Sequence, residues 1–209
     1  VYARPAPKTG QVVLSAEIVN GDDRAAEVKL EFAIATARAN ELAASARMQR
    51  TVPPGRSTLA VELTVEDPHR WELDDPFLYR ATARVWAEPA RGVHEHSVRF
   101  GFRDFRVTRG FFRLNGKRIF LRSTHTGNHC PVGQILPPAE APDLLRRDLL
   151  YAKASGYNMV RFIAGMAHPW QLDLCDEIGL MVYEESYAAW LLADSPKMAE
   201  RFDSSTIEM

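Results

Sequence analysis

The hydrophobic residues of this chain change period near residue 106, and no other feature restricts its fold as much. Before that point apolar and polar residues alternate. In "EVKLEFAIA", Val28, Leu30, Phe32 and Ile34 alternate with Glu27, Lys29, Glu31 and Ala33. "STLAVELTVE" sets Leu59, Val61, Leu63 and Val65 against Ala60, Glu62, Thr64 and Glu66. "LYRATARVWAE" sets Tyr79, Ala81, Ala83 and Val85 against Arg80, Thr82, Arg84 and Trp86. A period of two with one polar face describes half-buried strands. Turn signals fall between them at Asn20–Asp23, Pro53–Gly55 and Asp74–Pro76. Short strands at this spacing predict an immunoglobulin-like β-sandwich over residues 1–105. "ARANELAASARM" has the alanines of a helix, but its place between strands favours strand and turn.

After residue 106 the pattern is different. "FFRLNGKRIFLRS" sets two apolar runs around Asn115-Gly116, a strong hairpin signal. A loop rich in His, Gly and Pro follows, from Ser123 to Ala141. "DLLRRDLLYAKASG" has helical spacing, with Leu145, Leu149 and Ala152 on one face and Gly156 as its stop. "NMVRFI" reads as a buried strand. "PWQLDLCDEIG" reads as a second helix, from Pro169 to Gly179, and "LMVYEE" as a third strand. The order β-α-β-α-β predicts parallel strands with helical crossovers over residues 106–209.

Bulk composition narrows the classes of function. The 209 residues are 46% hydrophobic and 25% charged with a formal net charge of −1, so neither nucleic acid nor a basic membrane surface is an expected partner. No apolar run is long enough to cross a bilayer. Cys130 and Cys175 lie in no C-x-x-C pattern and are read as two separate thiols. The N-terminus lacks the charged start and apolar run of a signal peptide. The chain starts on strand-like residues without Met, and it is expected to be a piece of a longer protein.

Five motifs follow one another in order: Trp71-x4-Pro76-x-Leu78-Tyr79, "GFRDFRV", "FFRLNGKRIFLR", "ASGYNMVR" and "LCDEIGLMVYEE". Together they resemble glycoside hydrolase family 2, the β-galactosidases, β-glucuronidases and β-mannosidases. The resemblance implies an immunoglobulin-like β-sandwich followed by the first βα units of a (β/α)8 TIM barrel. It also implies a jelly roll before the sandwich and the rest of the barrel after it. The implied partners are a carbohydrate substrate and that remaining polypeptide. No cofactor is implied. Three barrel strands leave an open edge and an uncovered face, so further segments or a second copy in a homo-oligomer are expected to cover them.

Active sites of such barrels gather at the C-terminal ends of the strands. Here those ends are residues 122–129, 161–166 and 184–190. Glu184 and Glu185 look like a catalytic pair, but neighbours on a strand point to opposite faces. A retaining glycosidase needs two carboxyl groups about 5–5.5 Å apart flanking one bond. The resemblance puts the acid/base Glu after an Asn on strand four and the nucleophile on strand seven, so no catalytic residue is expected in this chain. Asn40-Glu41, in the sandwich, is a chance match.

The substrate-binding candidates are His125, His129, Arg161, Glu185 and Trp190. Arg161, where family members keep an Arg, pairs with acidic groups at the barrel mouth or orders the barrel. Glu185 is a pocket acceptor and partner for Arg161, or half of a structural ion pair. Glu184 is expected to point outward. His125 and His129 lack a third ligand at metal-binding spacing, so sugar-hydroxyl contact is the better reading. Trp190 is a stacking platform or a core residue. Two positions depart from the family: His125-Thr126-Gly127 stands for Asn-x-His, and Ala164 replaces a substrate-contacting His. These departures leave room for the alternative of a non-catalytic carbohydrate- or protein-binding scaffold.

Overall fold

The computed structural model describes residues 1–87, 92–126, 143–163 and 167–185. His129, Trp190, Cys130, Gly127 and Ala164 lie outside the described residues. The chain divides into two compact units, residues 1–118 and 119–209.

The first unit begins with β1 (Tyr2–Pro5), β2 (Gln11–Asn20), β3 (Ala26–Thr36), β4 (Leu42–Val52), β5 (Gly55–Thr64), β6 (Tyr79–Ala87) and β7 (Val93–Phe100). They form two antiparallel sheets, ordered β1-β2-β5 and β4-β3-β6-β7. This is a β-sandwich, and the alternation in the sequence explains it. Val12 and Leu14 of β2, Leu30, Phe32 and Ile34 of β3, and Ala81 and Ala83 of β6 turn inward and are buried. The intervening residues form polar faces. On one of them Glu31 takes Arg47 at 2.6 Å and Arg84 at 3.1 Å. These bonds, Arg47's foremost, hold the Glu31 carboxyl below the usual carboxylate range. Arg47 is 83% exposed, so the pair adds little stability. "ARANELAASARM" forms a turn and then β4, without helix.

The motif around Trp71 is a packing hub. Trp71 is fully buried, and its N–H donates to the Phe102 carbonyl at 3.0 Å. Tyr79 packs against Phe100 and Phe102, with ring centroids 5.8 and 5.3 Å away. A Cβ on Gly101 would lie 2.9 Å from the Trp71 Cβ, so this position accepts only glycine without a shift.

Three short strands follow: β8 (Phe105–Thr108), β9 (Phe111–Leu114) and β10 (Lys117–Arg118). They form a separate antiparallel sheet in the order β10-β9-β8. Asn115 and Gly116 turn the chain from β9 to β10 with φ of 52° and 85°, the left-handed pair that a type I′ hairpin needs. The Asn115 side chain donates to the Trp71 carbonyl and accepts from the Asp104 N–H, both at 2.9 Å. Lys117 adds an ion pair to Glu72 at 2.9 Å. These bonds tie the hairpin to the sandwich unit, so the compact unit runs past the sequence-based boundary at residue 105.

The second unit contains β11 (Ser123–Thr126), α1 (Leu144–Ala154), β12 (Met159–Phe162), α2 (Pro169–Ile178) and β13 (Met181–Glu184). The strands form one parallel sheet, β11-β12-β13. Leu149 and Ala152 of α1 and Leu174 and Cys175 of α2 bury Val160 and Phe162 of β12. Burial pushes the Cys175 thiol up to about 12, helped by the nearby Asp176 and Glu184 carboxylates, so it is inert at neutral pH. Among the described residues no helix is long and apolar enough to cross a membrane.

Gly101→Ala forces a methyl group against Trp71 and is expected to cost about 1–3 kcal/mol, the usual range for overpacking. Urea denaturation measures this, and an unchanged midpoint would contradict the hub.

Candidate functional site

The parallel sheet determines which side chains share a face. Register aligns His125, Arg161 and Tyr183 in one row, and Thr124, Val160 and Val182 in the next. Helices α1 and α2 pack on the row of Val160 and Val182. The row of Arg161 and Tyr183 therefore belongs to the opposite face.

Glu185 follows β13 by one residue and returns to that same face. Its carboxylate takes both the Nε–H and a terminal N–H of Arg161 on one oxygen. The Glu185 side chain is only 16% exposed, whereas that of Arg161 is 43% exposed. Arg161 thus keeps a solvent-facing edge while Glu185 holds it in place. Its guanidinium also lies 5.6 Å from the Tyr183 ring centroid, within cation–π range. Tyr183 was not singled out from the sequence. The signal was there, since period two puts residue 183 on the face of residue 185.

Glu184 points the other way. It accepts the Ala167 N–H at 3.2 Å, next to the Gln171 side chain that accepts the His168 N–H at 2.9 Å. Both acceptors satisfy backbone donors at the entry to α2. The two glutamates are thus divided between the two faces. Glu184 anchors a helix, and Glu185 orients an arginine.

His125 is exposed on β11, beside Arg161 in the register. It also lines a cavity of about 300 Å³ with Thr124, Asp148, Tyr151, Ser155 and Tyr157. This cavity is bordered by α1, and neither Arg161 nor Glu185 lines it. His129 and Trp190, the remaining candidates, fall outside the described residues. Among the described residues no group of three or more His, Cys, Asp or Glu is placed to hold a metal ion.

Asn158, just before β12, aligns the whole sheet. It is buried, and its side chain accepts the Arg122 N–H at 2.8 Å and donates to the Phe120 carbonyl at 2.9 Å. Its backbone carbonyl accepts the Met181 N–H at 2.9 Å. One residue therefore reaches the starts of both neighbouring strands.

Burial raises the Glu184 carboxyl above its ordinary value, and the Ala167 N–H only partly offsets this. A carboxyl raised on folding favours the native state in acid, and that contribution is lost as pH rises through the folded value. Glu184→Gln keeps an acceptor for Ala167 without the charge. Its melting temperature is expected to match the parent chain near pH 4 and to exceed it at pH 7. A variant that melts lower at pH 7 would show that the charge itself is needed.

The chain is similar to known proteins in sequence and in fold. Residues 1–103 match the model of glycosyl hydrolases family 2. A β-galactosidase of Vibrio cholerae is 31% identical over 125 residues, which is 59% of this chain and 12% of that protein. The crystal structure of a Bacteroides uniformis β-glucuronidase superposes with a TM-score of 0.83 at 20% identity, covering 100% of this chain and 25% of the other. A Parabacteroides merdae β-glucuronidase superposes with a TM-score of 0.71 at 25% identity, covering 99% of this chain and 26% of the other. The chain thus spans only about an eighth of the β-galactosidase and about a quarter of each β-glucuronidase. Its residues 1–103, with the Trp71 hub within them, are thus similar to the glycosyl hydrolases of family 2.

Proposed function

We propose that this chain is part of a retaining β-glycosidase, and that it builds one wall of the active site. The observation that carries the proposal is the Arg161–Glu185 pair. It sits at the C-terminal ends of parallel strands, on the face away from the helices. Barrel enzymes keep their chemistry at that end. In this reading the sandwich is immunoglobulin-like, and β11, β12 and β13 are the first strands of a (β/α)8 barrel. The similarity to β-galactosidases and β-glucuronidases supports it.

A retaining mechanism uses one carboxylate as nucleophile on the anomeric carbon and a second as acid and then base. The nucleophile forms a covalent glycosyl-enzyme, and water activated by the second group releases the sugar. Glu184 and Glu185 face opposite sides of one sheet and do not flank a common bond. The two catalytic carboxylates therefore come from other segments of the parent protein. Arg161 offers a planar fork of donors to a sugar oxygen or to a carboxylate, and Glu185 holds that fork in one orientation. His125 adds a polar group beside Arg161 in the same row.

The departure at Ala164 favours a second reading, in which the parent is a non-catalytic carbohydrate- or protein-binding scaffold. The sequence downstream of Met209 discriminates the two. An Asn-Glu pair followed by a later strand-end Glu supports the enzyme, and the absence of both supports the scaffold.

Under the main reading the purified 209-residue chain is expected to give no turnover of aryl β-galactosides or aryl β-glucuronides. Measurable hydrolysis would mean that the chain carries its own catalytic pair.

A further inference from the structure

Residues 99–122 hold seven arginines and Lys117 but a single acid, Asp104, in a chain whose formal net charge is −1. The small sheet concentrates this charge. Register sets Arg106 opposite Arg113, and Arg113 opposite Arg118. The three arginines form a row across β8, β9 and β10. Neighbouring strands lie about 4.8 Å apart, so the row is about 10 Å long.

Such a row works against the sheet, because like charges directly opposite each other on neighbouring strands are destabilising. Asp104 relieves only one end, gripping Arg106 through two bonds of 2.7 and 2.5 Å. Arg113 donates to the Gly116 carbonyl at 2.8 Å, a neutral acceptor. Arg118 lies over the Phe111 ring, 3.7 Å from its centroid. Among the described residues neither Arg113 nor Arg118 has a carboxylate partner. Phe111 shares the arginine face by strand alternation and stays 41% exposed. The face combines unneutralised guanidinium groups with an accessible aromatic ring, and it contributes nothing to the core.

We propose that this arginine face is a binding surface for an acidic polysaccharide, a glycan carrying carboxylates or sulfates. Guanidinium forks bind the paired oxygens of either group, and the Phe111 ring beneath Arg118 holds that fork on the exposed face. An anion seated on the row would also remove the repulsion between the arginines. The choice of a glycan over another polyanion rests on the glycosidase reading, and the near-neutral net charge argues against a nucleic-acid footprint.

The test is calorimetric titration of the 209-residue chain with polygalacturonate, heparin, neutral dextran and a single-stranded DNA oligonucleotide. Binding to polygalacturonate or heparin that weakens with salt is expected, with none to dextran. Which of the two binds more tightly distinguishes carboxylate from sulfate. The triple variant Arg106→Thr, Arg113→Thr, Arg118→Thr is expected to weaken glycan binding about tenfold or more, while melting no lower than the parent chain. If it does not fold, Arg118→Thr alone, on the exposed strand β10, is expected to weaken binding about threefold. Unchanged binding by a folded variant would overturn the proposal, as would equal binding of dextran or tighter binding of DNA. Binding is read without turnover, so this result is independent of the hydrolysis assay.

Discussion

The buried amide of Asn158 is the interaction on which the candidate site depends. An amide taken out of water costs free energy unless its donors and acceptor are satisfied. Asn158 satisfies its carbonyl with the Arg122 N–H and its amino group with the Phe120 carbonyl. The chain leading into β11 can meet those bonds in one alignment only. That alignment sets His125 beside Arg161 and Arg161 beside Tyr183. The backbone carbonyl of the same residue fixes the start of β13, and hence the point where Glu185 emerges.

Asn115 has a similar part in the first unit. Its side chain joins the hairpin to the Trp71 carbonyl and the Asp104 N–H, while Trp71 fills the space that Gly101 leaves open. Several residues that carry the family resemblance in this region are therefore packing and hydrogen-bonding residues rather than site residues. The proposed site pair, Arg161 and Glu185, lies in the second unit, apart from these packing residues.

What the sequence made legible follows from the range of each interaction. The alternation of Val28, Leu30, Phe32 and Ile34 is local, and it identified β3 and its buried face. Asn115-Gly116 is a local turn signal, and the hairpin formed where it stands. The opposition of Glu184 and Glu185 also followed from strand geometry alone. By contrast, the bonds from Asn158 to residues 120 and 122 span more than thirty positions and join a side chain to backbone, which no periodicity reveals. The hold of Asn115 on Trp71 was hidden for the same reason. The turn at Arg109-Gly110 between β8 and β9 was also unread, because Arg109 takes a left-handed φ of 51° that its residue type does not announce.

The division of the two glutamates has a physical logic. The helix face of the sheet must be apolar to bury Val160 and Phe162, so a carboxylate there has to be occupied with backbone donors, as Glu184 is. The opposite face carries the Arg161–Glu185 pair, in which the arginine stays partly exposed.

Amide hydrogen exchange at Arg122 and Met181, in the parent chain and in Asn158→Ala, tests the role of Asn158 most directly. The account predicts strong protection of both amides in the parent chain. In the variant, protection of Arg122 is expected to fall by about tenfold or more, because it loses a buried acceptor, while the Leu149 amide in α1 is affected less. Equal protection of Arg122 in the two proteins would contradict the claim that Asn158 sets the alignment of the sheet.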